Sequence, residues 1–399
     1  MRTFTISRRG IVVALGLLAW LPSGGTPPAR AEDPPANLAA QNSYFPPAED
    51  QGGWRSLLPE TGDPTSDDKA KLKKVAGVDW DRLKAAWDHN AAAPGASGLL
   101  VIRKGYIVGE WYKDGDRNKT FNIHSSSKSY TSTAYGLILS DFGNSPLPDG
   151  RKLTLDTEVC NQEWLPESLP LPDPRKATIT VRNLLNMTSG LDTQNPPVED
   201  HPFEWSLGHV EKSPMIKLLA DPGTTFHYSN AGVSHLVLVF NRAVGKDLFP
   251  FMKQRMFDHI GMKNIEWKTI GGAGGIGPYN QGYSGIYTSP REHARFCYLA
   301  MHRGEWMLKR IVPASYFDFA WAGTKAKADY GAQWWTAVPA PGIPKDLVMT
   351  RGRDHNDGFI VPSLDLVFVR LGDGDSKTFP NPKEFEQELV LKVLDAIVK

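Results

Sequence analysis

Apolar residues along this chain fall into two regimes. Near the ends they come in short runs: Leu99-Leu100-Val101-Ile102, a Lys104-Gly105 turn and 106–112; then Phe359-Ile360-Val361, a Pro362-Ser363 turn and 364–371. Runs of that length between turn residues predict two strand hairpins. In the middle the spacing is helical, over 125–139, 181–187 (closed by Gly190), 230–244 and 291–302 (before Gly304). Trp80, Leu83 and Trp87 mark an earlier helix behind Asp79 as its cap. Phe385, Leu389, Val390, Val393 and Ile397 mark a final one. Residues 32 to about 75, rich in Pro, Gly, Asp and Ala, read as a leader or surface wrap, with regular structure expected from near Val78. Strands at both ends with helices between them predict an α+β domain over 76–399. Its single sheet is built from distant chain ends, with a mainly helical subdomain inserted at roughly 140–290.

The N-terminus follows another logic. Arg8-Arg9 precede an apolar run, 11–21, and a Pro/Gly-rich stretch ends at Ala29-Arg30-Ala31. Basic, apolar, then small-x-small is the order of a secretory signal peptide. Residues 1–31 are therefore expected to be removed, placing the mature chain in the periplasm or outside the cell. Ser7-Arg8-Arg9-Gly10-Ile11-Val12 also fits a twin-arginine signal. The apolar run would cover only about half a bilayer as a helix, which argues against a permanent membrane anchor.

Composition adds exclusions more than identity. The 399 residues are 41% hydrophobic and 10% aromatic, enough for a large core. The formal charge is +1; without the four arginines of residues 1–31 there are 41 basic against 44 acidic side chains, net −3. A nucleic-acid binder needs a basic face, so that class is set aside. Cys160 and Cys297 show no framework spacing, and two buried thiols are expected rather than a disulfide. The ten histidines include no His-Glu-x-x-His pair and no Cys/His ligand spacing, so no metal is expected. Gly272-Ala273-Gly274-Gly275-Ile276-Gly277 matches a dinucleotide fingerprint as a string, but Pro278-Tyr279-Asn280 follows where a helix is needed. A loop near the pocket is expected there. Trp334 and Trp335 read equally as pocket lining or as core.

Candidate chemistry begins at Ser125-Ser126-Ser127-Lys128, where a loop opens into the predicted helix. Positions three apart share a helical face, so Ser125 and Lys128 can meet. A serine hydroxyl needs such a base within hydrogen-bond reach, and a helix N-terminus offers N–H groups to a developing oxyanion. The spacing alone is weak: Ser66-Asp67-Asp68-Lys69 repeats it, among acids that would pair its lysine at the surface. Further on, Tyr228-Ser229-Asn230 places a phenol and an amide two apart in an extended turn, one able to handle protons and the other to orient a carbonyl. Neither Tyr228 nor Lys128 is a base at neutral pH unperturbed. Bringing a phenol from about 10 to near 7 takes about 4 kcal/mol of differential stabilisation, which a Lys128 cation could partly supply. Burial that neutralises Lys128 is the alternative, and both stay open.

Together these segments resemble the class C β-lactamase-related serine hydrolases, of the β-lactamase and penicillin-binding-protein type. The resemblance runs from about residue 95 to 399 in family order. It rests on Ser125-x-x-Lys128, on Thr188-Ser189-Gly190-Leu191 after its leading helix, and on Pro222-Gly223-Thr224-Thr225-Phe226-His227-Tyr228-Ser229-Asn230. Tyr330-Gly331-Ala332-Gln333-Trp334-Trp335 and Val361-Pro362-Ser363-Leu364-Asp365-Leu366 also fit. It implies a β-lactamase/transpeptidase-like fold, an antiparallel sheet of five or more strands flanked by helices, with the active site in the cleft beside the helical subdomain. Ser125 would attack a small-molecule ester, amide or peptide-like carbonyl and form an acyl-enzyme, with Lys128 and Tyr228 as catalytic partners. The oxyanion would rest on the N–H of Ser125 and one from the strand after His355, and Asn230 would orient the acyl side. No metal or organic cofactor is implied. The family's Lys-Thr-Gly strand motif is missing, since Lys268-Thr269 is followed by Ile270; its place is expected at 352–358, where His355 would stand in as a substrate-binding residue. That lysine usually helps hold a substrate carboxylate. Its loss therefore favours the family's esterases (family VIII type) and 6-aminohexanoate-dimer hydrolase-like enzymes. The alternatives are a β-lactamase, a D-amino-peptide hydrolase or a non-catalytic penicillin-binding-type sensor, the last disfavoured by the complete set Ser125, Lys128, Tyr228 and Asn230.

Overall fold

Both hairpins form, and they meet. In the computed structural model, which describes residues 44–197, 200–336 and 340–398, β1 (Ser97–Arg103) and β2 (Tyr106–Lys113) pair around Lys104 and Gly105. Both turn residues take positive φ, 52° and 73°, which the twist of a two-residue hairpin requires. The C-terminal third supplies β3 (Trp335–Thr336), β4 (Val348–Thr350), β5 (Asp357–Val361) and β6 (Leu366–Gly372). The six strands lie in the order β3-β4-β5-β6-β1-β2, every pair antiparallel. The ladder from Ser97↔Gly372 to Arg103↔Leu366 joins the two ends of the chain, as expected.

Continuous apolar runs make sense here because the sheet is covered on both faces. Leu100, Ile102, Val367 and Val369 enter one core; Leu99, Val101, Leu366 and Phe368 enter the other. The second core is closed by α1 (Ser66–Ala76), α2 (Trp80–Ala91) and, at the far end of the sequence, a helix over Phe385–Asp395. The first α-helix, α1, is earlier than expected. Thr65 and Asp68 form a reciprocal capping box that starts it inside the Asp-rich stretch. Its Ser66 is exposed and its Lys69 half-buried, paired to Asp81 at 2.7 Å, as expected of a surface pair.

The other core carries the site. It is built on α3 (Ser127–Gly136), α4 (Val181–Leu185), α5 (Asn230–Val244) and α6 (Pro290–Met301), ahead of α7, the Phe385–Asp395 helix. The described part of 140–290 also holds short strands, Ile265–Trp267, Thr269–Ile270, Tyr279–Asn280 and Ile286–Thr288. The glycine-rich stretch is the tip of a hairpin between Thr269–Ile270 and Tyr279–Asn280, tied down where Ile276 N–H donates to Glu204 Oε1 at 2.6 Å. Cys160 and Cys297 are buried free thiols. Among the described residues no helix is long and apolar enough to cross a membrane. The expected signal peptide lies outside the described residues.

Candidate active site

Ser125 sits in a 3₁₀ turn, His124–Ser126, that runs into α3. His124 takes a left-handed φ of 46°, and its N–H donates to Asn122 Oδ1 at 2.9 Å, so the chain swings sharply just before the serine. Surroundings then sort the three serines. Ser126 is buried and donates to the Asn356 carbonyl at 2.6 Å; Ser127, also buried, accepts the Ile286 N–H at 3.4 Å. Ser125 is partly open and faces Lys128.

Lys128 Nζ lies 3.0 Å from Ser125 Oγ and 3.0 Å from the Tyr283 carbonyl, both neutral oxygens. The lysine is 1% exposed, and burial drives its ammonium well below the ordinary lysine range. Tyr228 closes over the pair, with Lys128 Nζ 4.8 Å from its ring centre. Burial pushes the phenol up to about 12, while Ser125 and Arg351 pull the other way. Of the two proton acceptors left open by the sequence, burial favours the amine: it disfavours the Lys128 ammonium, while Tyr228 keeps its proton at neutral pH.

Asn230 opens α5 behind Ser229, whose Oγ accepts the Gly232 N–H at 3.2 Å as the helix cap. Asn230 Nδ2 donates to Asn195 Oδ1 at 2.6 Å, leaving Asn230 Oδ1 buried with no partner among the described residues, a state that a bound donor would relieve. Ser125, Lys128 and Tyr228 are thus brought together, and Asn230 follows two residues behind the phenol.

His355 is not among the side chains that meet here, contrary to expectation. Asp354 and His355 both adopt left-handed backbone, φ 62° and 56°, and Arg370 pins the turn by donating to the Asp354 carbonyl at 2.7 Å. The double reversal turns the His355 ring onto Phe385 and Phe379, centroids 5.0 and 5.7 Å away, on the α7 side. Its neighbours are the Asp357 and Glu386 carboxylates, each 3.8 Å from Nδ1. The three offer metal-type ligand atoms within 4.8 Å of one another, but the Arg351 guanidinium, 2.6 Å from Glu386 Oε2, already supplies a cation there.

The strand backbone beside Ser125 also differs. It is the end of β4, ahead of His355, because β5 is an interior strand hydrogen-bonded on both sides. β3 pairs with Val348 and Met349, and among the described residues no strand pairs with that edge from Thr350 onward. Arg351, which the sequence reading passed over, stands there. Its Cζ lies 5.2 Å from the Trp335 ring, which in turn stacks on Tyr228 at 6.1 Å. The available signal was an apolar strand, Leu347-Val348-Met349, ending on a cation. The adjacent tryptophans divide the two roles expected of them: Trp334 is buried in the core and Trp335 lines the wall beside Tyr228.

A buried relay holds that wall at its distance from α3. Tyr130 on α3 bonds His293 Nδ1 at 2.9 Å, and His293 Nε2 on α6 bonds Thr350 Oγ1 on β4 at 2.9 Å. Burial presses the imidazole down to about 3, so it stays neutral and bridges a phenol and a hydroxyl with no net charge.

Comparison with known proteins follows the same lines. The profile of the family described as Beta-lactamase matches residues 81–370. The solved structure described as "Putative 6-aminohexanoate-dimer hydrolase from Bacillus anthracis" is similar with a TM-score of 0.62 at 18% identity, over 90% of this chain and 92% of that one. EstCE1, described as a hydrolase with promiscuous acyltransferase activity, gives 0.58 at 18% identity, over 80% and 98%. Identities this low establish likeness of fold. A curated relative, "Probable fimbrial assembly protein FimD, serogroup H1" from Dichelobacter nodosus, is 35% identical over 100 residues, and the chain spans 24% of its length.

Proposed function

The chain belongs to the beta-lactamase family, and from that premise we propose that it is an exported esterase or amidase whose acyl group is carried on Ser125. One observation carries the reading: Lys128 Nζ stands 3.0 Å from Ser125 Oγ, buried, with only neutral oxygens for company. A neutral amine there accepts the serine proton as Oγ bonds to the substrate carbonyl carbon. The tetrahedral oxyanion is met by the N–H of Ser125 and the uncovered backbone at the end of β4. The carbonyl re-forms as the bond to the leaving group breaks. That group takes a proton from the Tyr228 phenol, which Lys128 restores, and water then clears the acyl-enzyme by the same steps. Asn230 Oδ1 accepts a hydrogen bond from the acyl side. The 6-aminohexanoate-dimer hydrolase and esterase likenesses support ester or amide substrates, and the Arg8–Ala31 pattern supports export.

A fluorophosphonate probe followed by intact-mass spectrometry tests this directly. One adduct is expected on the wild-type chain and none on Ser125→Ala. A wild-type chain that takes no label and turns over no p-nitrophenyl ester would reduce the protein to a binder.

A further inference from the structure

The cation at the catalytic wall has a private counter-ion. Arg351 is the first residue past β4, and its side chain is 38% exposed, open enough to meet a bound molecule. Glu386, from the first turn of α7, reaches it across the end of the sheet and sets Oε2 2.6 Å from Arg351 Nη2. The carboxylate is itself largely enclosed, its side chain 18% exposed, with His355 Nδ1 3.8 Å away and buried Asp357 beside them. Burial works against its charge, but His355 and Arg351 more than offset this and hold Glu386 below the usual carboxylate range, so it is ionised at neutral pH. Asp357, pushed up to about 7 by burial and by Glu386, is the weaker acid of the two.

We propose that Glu386 determines substrate charge specificity: it neutralises Arg351, so that this site prefers substrates with no carboxylate near the scissile bond. The inference rests on the hydrolase reading above and supplies its substrate class. A carboxylate approaching Arg351 gives up its hydration for a guanidinium that already has a partner, and it must also approach Glu386. An uncharged acyl chain pays neither cost, and Trp335 and Tyr228 offer it apolar ring surface. Arg351 then serves to stabilise the wall and to bias the Tyr228 phenol, while Glu386 acts through Arg351 and is a positioning residue.

The test compares two substrates of the same acyl length, p-nitrophenyl valerate and p-nitrophenyl hemiglutarate, the second ending in a carboxylate. The readout is the ratio of kcat/KM, anionic over neutral, at neutral pH and low salt. Glu386→Gln frees Arg351 and should raise the ratio about tenfold, and added salt should erode the gain. The double variant Arg351→Gln/Glu386→Gln should lose the gain. Arg351→Gln alone leaves the Glu386 carboxylate uncompensated and should lower the ratio about tenfold, whereas the double variant, with both charges gone, should lie within about threefold of wild type. A rise below fivefold in Glu386→Gln, or a rise that survives in the double variant, overturns the proposal. So does a large fall below wild type in the double variant, which would show that Arg351 received anions despite Glu386 and remains readable even if Glu386→Gln alone does not fold. Ser125-dependent turnover with an unchanged ratio defeats only this inference; no Ser125-dependent turnover of either ester defeats the hydrolase reading beneath it.

Discussion

Gly352 lies so close to Ile123 that a β-carbon on it would stand 2.2 Å from the Ile123 carbonyl oxygen. Its φ of −118° suits any residue, so what the position requires is space rather than backbone freedom. Through this contact the end of β4 touches the segment that presents Ser125. Gly352→Ala must push the two apart by several tenths of an ångström or more. Since small misplacements of reacting groups cost up to about a hundredfold, kcat/KM on a p-nitrophenyl ester should fall at least about tenfold. Ester kinetics beside a thermal melt check this. A loss of melting temperature with kinetics intact would show that the contact only packs.

The sorting of the three serines makes a second expectation. Ser125→Ala should abolish the covalent adduct, whereas Ser126→Ala and Ser127→Ala should keep it. Ser126→Ala removes a buried donor to the Asn356 carbonyl and should cost about 1–3 kcal/mol of stability. Intact-mass spectrometry and denaturant melts on the three variants read both effects, and an adduct on Ser125→Ala would move the nucleophile elsewhere.

Tyr228→Phe keeps the ring against Trp335 and removes only the hydroxyl. If the phenol passes a proton to the leaving group, kcat should fall by about 10² to 10⁴ while KM moves little. A leaving group that needs no proton, such as p-nitrophenolate, should suffer less than an alkyl alcohol. Equal losses on both would remove the phenol from that step.

Protonation of Lys128 sets the pH profile. Its folded value lies below its unfolded value near 10.4, so between the two the unfolded chain binds more protons and stability rises with pH. Melting temperature should therefore climb as pH rises from the depressed lysine value towards about 10, and Lys128→Met should flatten that climb. Activity follows the neutral amine, so kcat/KM falls as pH drops through the depressed lysine value. With Tyr228 at about 12, no alkaline limb is expected below about pH 10. A bell centred near neutrality would instead point to a phenolate base.

Much of this was legible because the relevant physics is local. The Ser125–Lys128 pair is one helical turn, Asn230–Val244 begins and ends at the residues expected, and both hairpins carry their turn residues in the sequence. What escaped depended on partners far away along the chain. Arg351 has meaning only beside Glu386 and Tyr228, and His355 was misplaced because two successive left-handed residues reverse its direction. The early helix α1 did have a local signal, the Thr65–Asp68 box, but it was outweighed by a composition that resembles a linker.

The ladder between β1 and β6 has a consequence in time. Ser125, Lys128 and Tyr228 are all translated before the strand edge that faces them, and the bond from Ser126 to Asn356 spans 230 residues. Contacts of such long sequence separation form late and slowly. A nascent chain ending before β4 would carry Ser125, Lys128 and Tyr228, yet lack the wall that completes the cleft. Hydrolysis should therefore switch on only when the C-terminal strands dock, so that the first turnover of each molecule reports the closing of its sheet.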